Sequence, residues 1–256
     1  MPPALSIHGG RIHGGPDAQG VPLYDFSTNA NACGPCPEAL AAVQQADATR
    51  YPDPAYTRLR EALGAFHAVA PDCIVLAASA SECIHRFTAL AALQGARLVS
   101  VPRHGYGDYA QAAQARGLAV VHDAAAPAGL QWACEPASPL GGVDLQRARW
   151  ALKSEAPGTP GAASAHPLRV LDCAYAPLRL DGTLWPERVP GMWQLWTPNK
   201  ALGLTGVRAA YAIAPHAEAA HRLAALAPSW PLGAHGGALL GAWVQPSVQR
   251  WLADCL

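Results

Sequence analysis

The sequence predicts an α/β fold, a mostly parallel sheet flanked by helices, and three observations carry that reading. Short apolar runs rich in Val, Ile and Leu recur along the chain, and segments with helical spacing lie between several of them. The runs are apolar throughout rather than alternating, as strands buried on both faces are. The third is bulk: 256 residues, 51% hydrophobic and 14% charged, are enough for one large domain or two modest ones with a real core.

The first thirty-odd residues contain HGGRIHGG and several Asn, Pro and Gly, have no period, and read as an arm over the body. The strands are expected at Cys73 to Ala77, Arg97 to Val101, Leu118 to His122, Leu168 to Asp172 and Arg208 to Ala214. Helices are expected over Tyr56 to Val69, where Leu59, Leu63 and Phe66 share a face, over Ser81 to Leu93, and over Gly107 to Arg116. Strand, helix, strand is the unit; such units wind right-handed and gather ligands at the carboxyl ends of the strands. Ser154 to Pro167 is small and Pro/Gly-rich, a surface excursion. The chain thus divides into an arm at 1–36, a ligand-binding body at 37–215, and linking helices with the start of a second, truncated domain at 216–256.

Charge and cysteine content narrow the function. Eighteen basic and eighteen acidic residues leave no net field to recommend nucleic acid or an anionic membrane. The start lacks a secretory pattern, and the longest uncharged stretch, Pro228 to Gln249, is broken by prolines and glycines. Seven scattered cysteines are no disulfide framework, and a cytoplasmic, small-molecule role is expected. No second Cys or His pair stands at the spacing of a structural zinc site. Cys33-Gly-Pro-Cys36 matches the dithiol motif of thiol redox proteins, although no apolar strand leads into it.

Of the two lysines, Lys153 borders a Pro/Gly loop, whereas Lys200 sits in WTPNKALGLTGVRAAYAIA between two apolar segments. Burial lowers an amine's pKa and leaves it able to attack a carbonyl and form a Schiff base. Equally, the stem can pack while the head reaches water. The local sequence leaves both readings open.

LDCAYAP places Asp172 at the end of an apolar strand with Tyr175 three residues on; Lys200 follows, and Arg208 eight residues past it. With HGG at His8 to Gly10, DFSTNAN at Asp25 to Asn31 and RYPDPAYTRLREAL at Arg50 to Leu63, the chain resembles, collinearly and over nearly its whole length, the fold-type I pyridoxal-phosphate enzymes of the aminotransferase superfamily. The likeness is to their threonine-phosphate decarboxylase branch, which serves cobalamin biosynthesis, and to its relative histidinol-phosphate aminotransferase. The resemblance implies an aspartate aminotransferase-like large domain, pyridoxal 5'-phosphate as cofactor and a homodimer. It makes Lys200 the Schiff-base lysine, Asp172 the partner of the ring nitrogen and Tyr175 that of the phenolic oxygen. Tyr106 would stack on the ring, while Ser79, Ala80, Ser81 and Arg208 would hold the phosphate. Ser138 and Thr197 complete the implied cofactor set, and Tyr51 would reach the neighbouring subunit's phosphate. His8 and Asn31 would contact substrate.

Departures from the family pattern are visible too. Ser138 stands where a longer Asn is usual, Cys173 where an acid is usual, and Pro198-Asn199 precede Lys200 in place of a small hydroxyl residue. The family's carboxylate-clamping arginine has no assignable counterpart, so cofactor binding is better supported than turnover. The expectation is decarboxylation of L-threonine O-3-phosphate, with transamination of a phosphorylated amino acid as the alternative and a truncated, non-catalytic member as a third reading.

Overall fold

A computed structural model describes residues 15–16, 18, 20–25, 27–154, 167–181 and 188–256. His8 and the HGG segment lie outside the described residues, as does nearly all of the Ser154 to Pro167 excursion.

Seven strands form one sheet: β1 (Ile74–Ala77), β2 (Leu98–Ser100), β3 (Ala119–Val121), β4 (Leu130–Cys134), β5 (Leu168–Asp172), β6 (Met192–Trp196) and β7 (Ala210–Ile213). Their spatial order is β1-β7-β6-β5-β4-β2-β3. The five expected strands are present, each within a few residues of its expected span. Expectation missed β4 and β6, because LQWAC and MWQLW carry a glutamine inside the apolar run. Both glutamines are buried and satisfied by indoles: Trp150 Nε1 donates to Gln131 Oε1 at 2.9 Å, and Trp196 Nε1 to Gln194 Oε1 at 3.3 Å. A polar residue with a fixed partner costs a strand little, but it erases the pattern that sequence reading relies on.

From β3 to β6 all pairings are parallel, whereas β7 runs antiparallel to both β6 and β1. The reason lies in the connection. Parallel neighbours need a crossover, usually a helix, and the segment from Thr197 to Ala209 is a chain of tight turns that simply reverses direction. That reversal carries Lys200 and brings Arg208 back to the same edge of the sheet.

Helices cover both faces. Side chains alternate along β1: Ile74 and Leu76 join one core cluster, Val75 and Ala77 the other. Over the first face lie α1 (Pro37–Gln44), α2 (Thr57–His67), α7 (Ala234–Trp243) and α8 (Pro246–Cys255), supplying Ala39, Leu63, Leu239, Trp243 and Leu252 to the core. Over the second lie α3 (Ala80–Leu93), α4 (Gly107–Gln114) and α6 (Ala217–Ala224), supplying Phe87, Tyr109 and Leu223. The remaining helix, α5 (Leu145–Ser154), packs beside β4 through Trp150. Helices α6 and α7 reach the sheet itself, Trp243 Nε1 donating to the Tyr211 hydroxyl on β7 at 3.0 Å, and α8 packs against α7.

Candidate active site

The carboxyl ends of β1, β2, β4, β5 and β6 and the start of β7 face one cleft of about 500 Å³, a size suited to a small ligand. Of the residues expected from the sequence, Ala80, Ser81, Tyr106, Ser138, Asp172, Tyr175, Thr197, Lys200 and Arg208 line it.

Asp172 ends β5 and is 4% exposed. Its Oδ2 accepts from the Tyr109 hydroxyl at 2.6 Å and its Oδ1 from the Ala174 amide at 2.9 Å. Burial pushes its pKa up, opposed by the Tyr109 hydrogen bond, the Lys200 charge and the Ala174 amide. Among the described residues no cation forms an ion pair with it. A buried carboxylate without an ion-pair partner at the wall of a cleft fits a cationic ring nitrogen.

Lys200 Nζ lies 4.4 Å from the centroid of the Tyr175 ring, close enough for a cation–π contact. Its turn is built by the backbone: Leu202 N–H donates to the Pro198 carbonyl at 2.9 Å, and Leu204 N–H to that of Asn199 at 2.7 Å. The Thr197 hydroxyl is 2.9 Å from Asn199 Oδ1 and 3.0 Å from the Ala209 carbonyl, so it braces this loop. Gly203 has φ +65°, and a Cβ there would meet the Gly34 carbonyl oxygen at 2.4 Å, so this turn requires glycine. The arm is thereby drawn against the lysine loop. Asn31 N–H donates to the Lys200 carbonyl at 3.0 Å, Asn31 Nδ2 to that of Ala201 at 3.0 Å, and Cys36 N–H to that of Leu202 at 2.9 Å.

At the opposite end, Ser79 caps α3 by accepting from the Glu82 amide at 3.0 Å. That leaves the first-turn amides of Ala80 and Ser81 beside Arg208, an arrangement suited to an anion. No carboxylate among the described residues pairs with Arg208. Ser81 Oγ and the Tyr106 hydroxyl are 3.1 Å apart. Burial, the largest cause, raises the Tyr106 pKa.

Three expected site residues lie elsewhere. Ser79 caps its helix from just outside the cleft wall. Asn31 does not line the cleft; its side-chain oxygen accepts from the Cys33 amide at 2.9 Å, and its nitrogen supports the Lys200 loop. Tyr51, 79% exposed, is stacked on Trp230 with centroids 4.4 Å apart. Sequence reasoning assigned no role to Tyr109, Cys134, His104, Asn199 or the arm residues Ser27, Thr28 and Asn29, all of which line the cleft. The signals were Tyr109's place three residues past Tyr106 and the DFSTNAN motif that holds the three arm residues. The CGPC pair also departs from a redox arrangement: α1 starts after the second cysteine, so the helix N-terminus sits on buried Cys36 rather than on exposed Cys33. Among the described residues no His, Cys, Asp and Glu cluster could hold a metal, and no helix is long and apolar enough to cross a membrane.

Comparison with known proteins agrees with this geometry. The model of the family "Aminotransferase class I and II" matches residues 21–160. Histidinol-phosphate aminotransferase 2 of Thiobacillus denitrificans is 31% identical over 242 residues, 85% of this chain and 64% of that protein, so the chain spans less than two thirds of that relative. Histidinol-phosphate aminotransferase from Sinorhizobium meliloti, solved in complex with pyridoxal-5'-phosphate, superposes with a TM-score of 0.69 at 21% identity, covering 89% of this chain and 65% of that one. L-Threonine-O-3-phosphate decarboxylase from Porphyromonas gingivalis superposes with a TM-score of 0.66 at 18% identity, covering 90% and 73%. The fold is the aspartate aminotransferase-like fold of the pyridoxal-phosphate-dependent transferases. With a family model spanning more than half of its residues, this chain belongs to the aminotransferase class I and II family.

Proposed function

We propose that this chain forms the cofactor-binding body of a pyridoxal-phosphate-dependent aminotransferase that acts on a phosphorylated amino compound. The observation that carries the reading is the buried, unpaired carboxylate of Asp172 in one cleft with Lys200 and Arg208. Pyridoxal 5'-phosphate, when bound, supplies an aldehyde for amine capture and a ring that accepts electrons from the substrate α-carbon.

The protein's own groups do the rest. Asp172 would hold the ring nitrogen protonated, and the Tyr109 hydroxyl, by donating to that carboxylate, opposes the rise that burial imposes on its pKa. Ala80, Ser81 and Arg208 would hold the phosphate, Tyr106 would cover the ring, and Tyr175 and Ser138 would serve its oxygen substituent. The Lys200 amine would hold the cofactor through its aldehyde and would serve as the proton carrier at the substrate α-carbon. Tyr51, exposed with Trp230, is available to a second copy of the chain, and a homodimer is part of the proposal. The proposal counts α6 and α7, which pack against the sheet, with the cofactor-binding body.

The alternative is better supported than the decarboxylase expectation: proteins named histidinol-phosphate aminotransferase align with this chain at 29 to 31% identity, whereas the threonine-phosphate decarboxylase neighbour is 18% identical and shares the fold. The test begins with hydride trapping: protein incubated with pyridoxal phosphate and borohydride is expected to carry the cofactor on Lys200, and Lys200→Ala to carry none. An adduct elsewhere, or none, overturns the assignment. Histidinol phosphate with a 2-oxo acid is then expected to yield amino acid. Release of carbon dioxide from L-threonine O-3-phosphate, without amino transfer, restores the decarboxylase.

A further inference from the structure

We propose that Cys33 and Cys255 are a thiol–disulfide modification site, a reversible staple between the arm and α8 whose co-substrate is a low-molecular-weight disulfide. The motif suggested Cys33 and Cys36, but the fold separates their surroundings. Cys36 is 1% exposed and caps α1, whereas Cys33 is exposed and its Sγ lies 3.9 Å from the Cys255 carbonyl oxygen, 222 residues away. The two cysteines share one surface cavity with Asn31 and Tyr175. The Cys255 thiol contacts the side chains of both Cys33 and Asn31; desolvation first, and the Cys33 thiol second, raise its pKa. A partner thiol so placed is suited to resolve a mixed disulfide on the more accessible sulfur.

The chemistry balances without any group from the cofactor site. The Cys33 thiolate attacks one sulfur of oxidised glutathione or a similar disulfide, expelling one thiol and leaving a mixed disulfide. The Cys255 thiolate then attacks the Cys33 sulfur and expels the second thiol. The two protons lost by the cysteines end on the two released thiols, and the small disulfide is reduced as the protein pair is oxidised.

The staple has a route to the lysine loop. Cys33 N–H is bonded to Asn31 Oδ1, and Asn31 holds the carbonyls of Lys200 and Ala201. Gly34, the next residue, is in close approach to Gly203. Fixing Cys33 to α8 therefore restrains the segment that frames Lys200. The disulfide stands apart from the proposed function; only its consequence for catalysis rests on that reading.

The test is oxidation of the whole chain in graded ratios of oxidised to reduced glutathione, quenching with N-ethylmaleimide and peptide mapping. The expected product is a Cys33–Cys255 cross-linked peptide, with the other five of the seven thiols alkylated. Cys33→Ser and Cys255→Ser should each abolish the cross-link and leave glutathione on the surviving partner. Hydrogen exchange at the Asn31 and Cys36 amides should slow at least severalfold on oxidation of the wild type and stay unchanged in Cys33→Ser. A Cys33–Cys36 disulfide, or mixed disulfides only, overturns the site. A cross-link without a change in exchange overturns the coupling to the lysine loop. Neither readout requires bound cofactor, so failure here and failure of the aminotransferase reading are separable.

Discussion

Two buried carboxylates stand one strand apart and are treated in opposite ways. Glu135, just past β4, is 3% exposed and bridged at one oxygen by Arg147 at 3.2 Å and Arg179 at 3.0 Å. Asp172, at the end of β5 and equally buried, has a tyrosine hydroxyl and a backbone amide but no arginine. They are joined through the backbone, the Glu135 amide donating to the Asp172 carbonyl at 3.1 Å. Glu135 has its charge neutralised inside the protein and holds structure together. Asp172 has its charge only partly compensated, and the deficit is what a cationic ligand atom fills. The same contrast separates Arg86, buried and paired with Glu82, from Arg208, which faces the cleft without a carboxylate. An unmet charge at the wall of a cavity is a better marker of a site than burial itself.

Asp172→Asn should give the largest effect of any test of this comparison. Turnover is expected to fall about a hundred- to a thousandfold, the scale of losing one preorganised electrostatic partner, while the melting temperature holds or rises. A collapse of stability would make Asp172 the structural acid after all. Glu135→Ala should do the reverse, costing about 3 kcal/mol of stability because two partly buried guanidinium groups lose their partner. Urea denaturation of the two variants side by side reads the difference.

The pH dependence of stability separates Asp172 from a buried base. His67, in α2, has its pKa lowered to about 4, chiefly by burial and secondarily by Arg188, and its Nε2 lies 2.7 Å from the Tyr211 hydroxyl. Its folded-state pKa lies below the unfolded value of 6.5, so its contribution is fully present above pH 6.5 and lost as pH falls towards 4. The loss is at most about 3 kcal/mol. Asp172 has the opposite sign: its pKa is raised, so its burial cost is felt at neutral pH and relieved as pH falls through the folded value. Denaturation midpoints at pH 7 and 4.5 should therefore fall more steeply in Asp172→Asn than in wild type. Equal slopes would show that the Asp172 carboxyl contributes nothing to the pH dependence.

Tyr109→Phe is the smallest change and the finest probe. The stack on Trp132, with centroids 4.6 Å apart, survives, but the hydrogen bond to the carboxylate is gone. A bond to a charged group is worth about 1.5 to 3 kcal/mol, so cofactor affinity is expected to drop about tenfold or more, with a steeper loss at low pH. Titration of pyridoxal phosphate by absorbance measures it; unchanged affinity at all pH values removes Tyr109 from the site.

Local residue order made much of this legible. Apolar runs located five strands because Val, Ile and Leu must leave water wherever they occur. The order Asp172, Tyr175, Lys200, Arg208 pointed to the cleft through its resemblance to the family pattern, and the fold brings all four residues to the cleft. What escaped was whatever breaks the apolar pattern or depends on the course of a turn: β4 and β6 hide behind glutamines that Trp150 and Trp196 satisfy, and the antiparallel direction of β7 follows from a turn.

The chain's own order of residues thus determined the layer architecture, since burial is a local property, and through its resemblance to a family it named most of the groups at the sheet's ligand edge. Only the tertiary structure decided which charges stay uncompensated, that Tyr109 supports Asp172, that Asn31 serves the lysine loop, and that Cys33 meets Cys255 rather than Cys36. The three contacts join residues 63 to 222 positions apart, and an interaction energy exists only once folding has brought both partners to the same place.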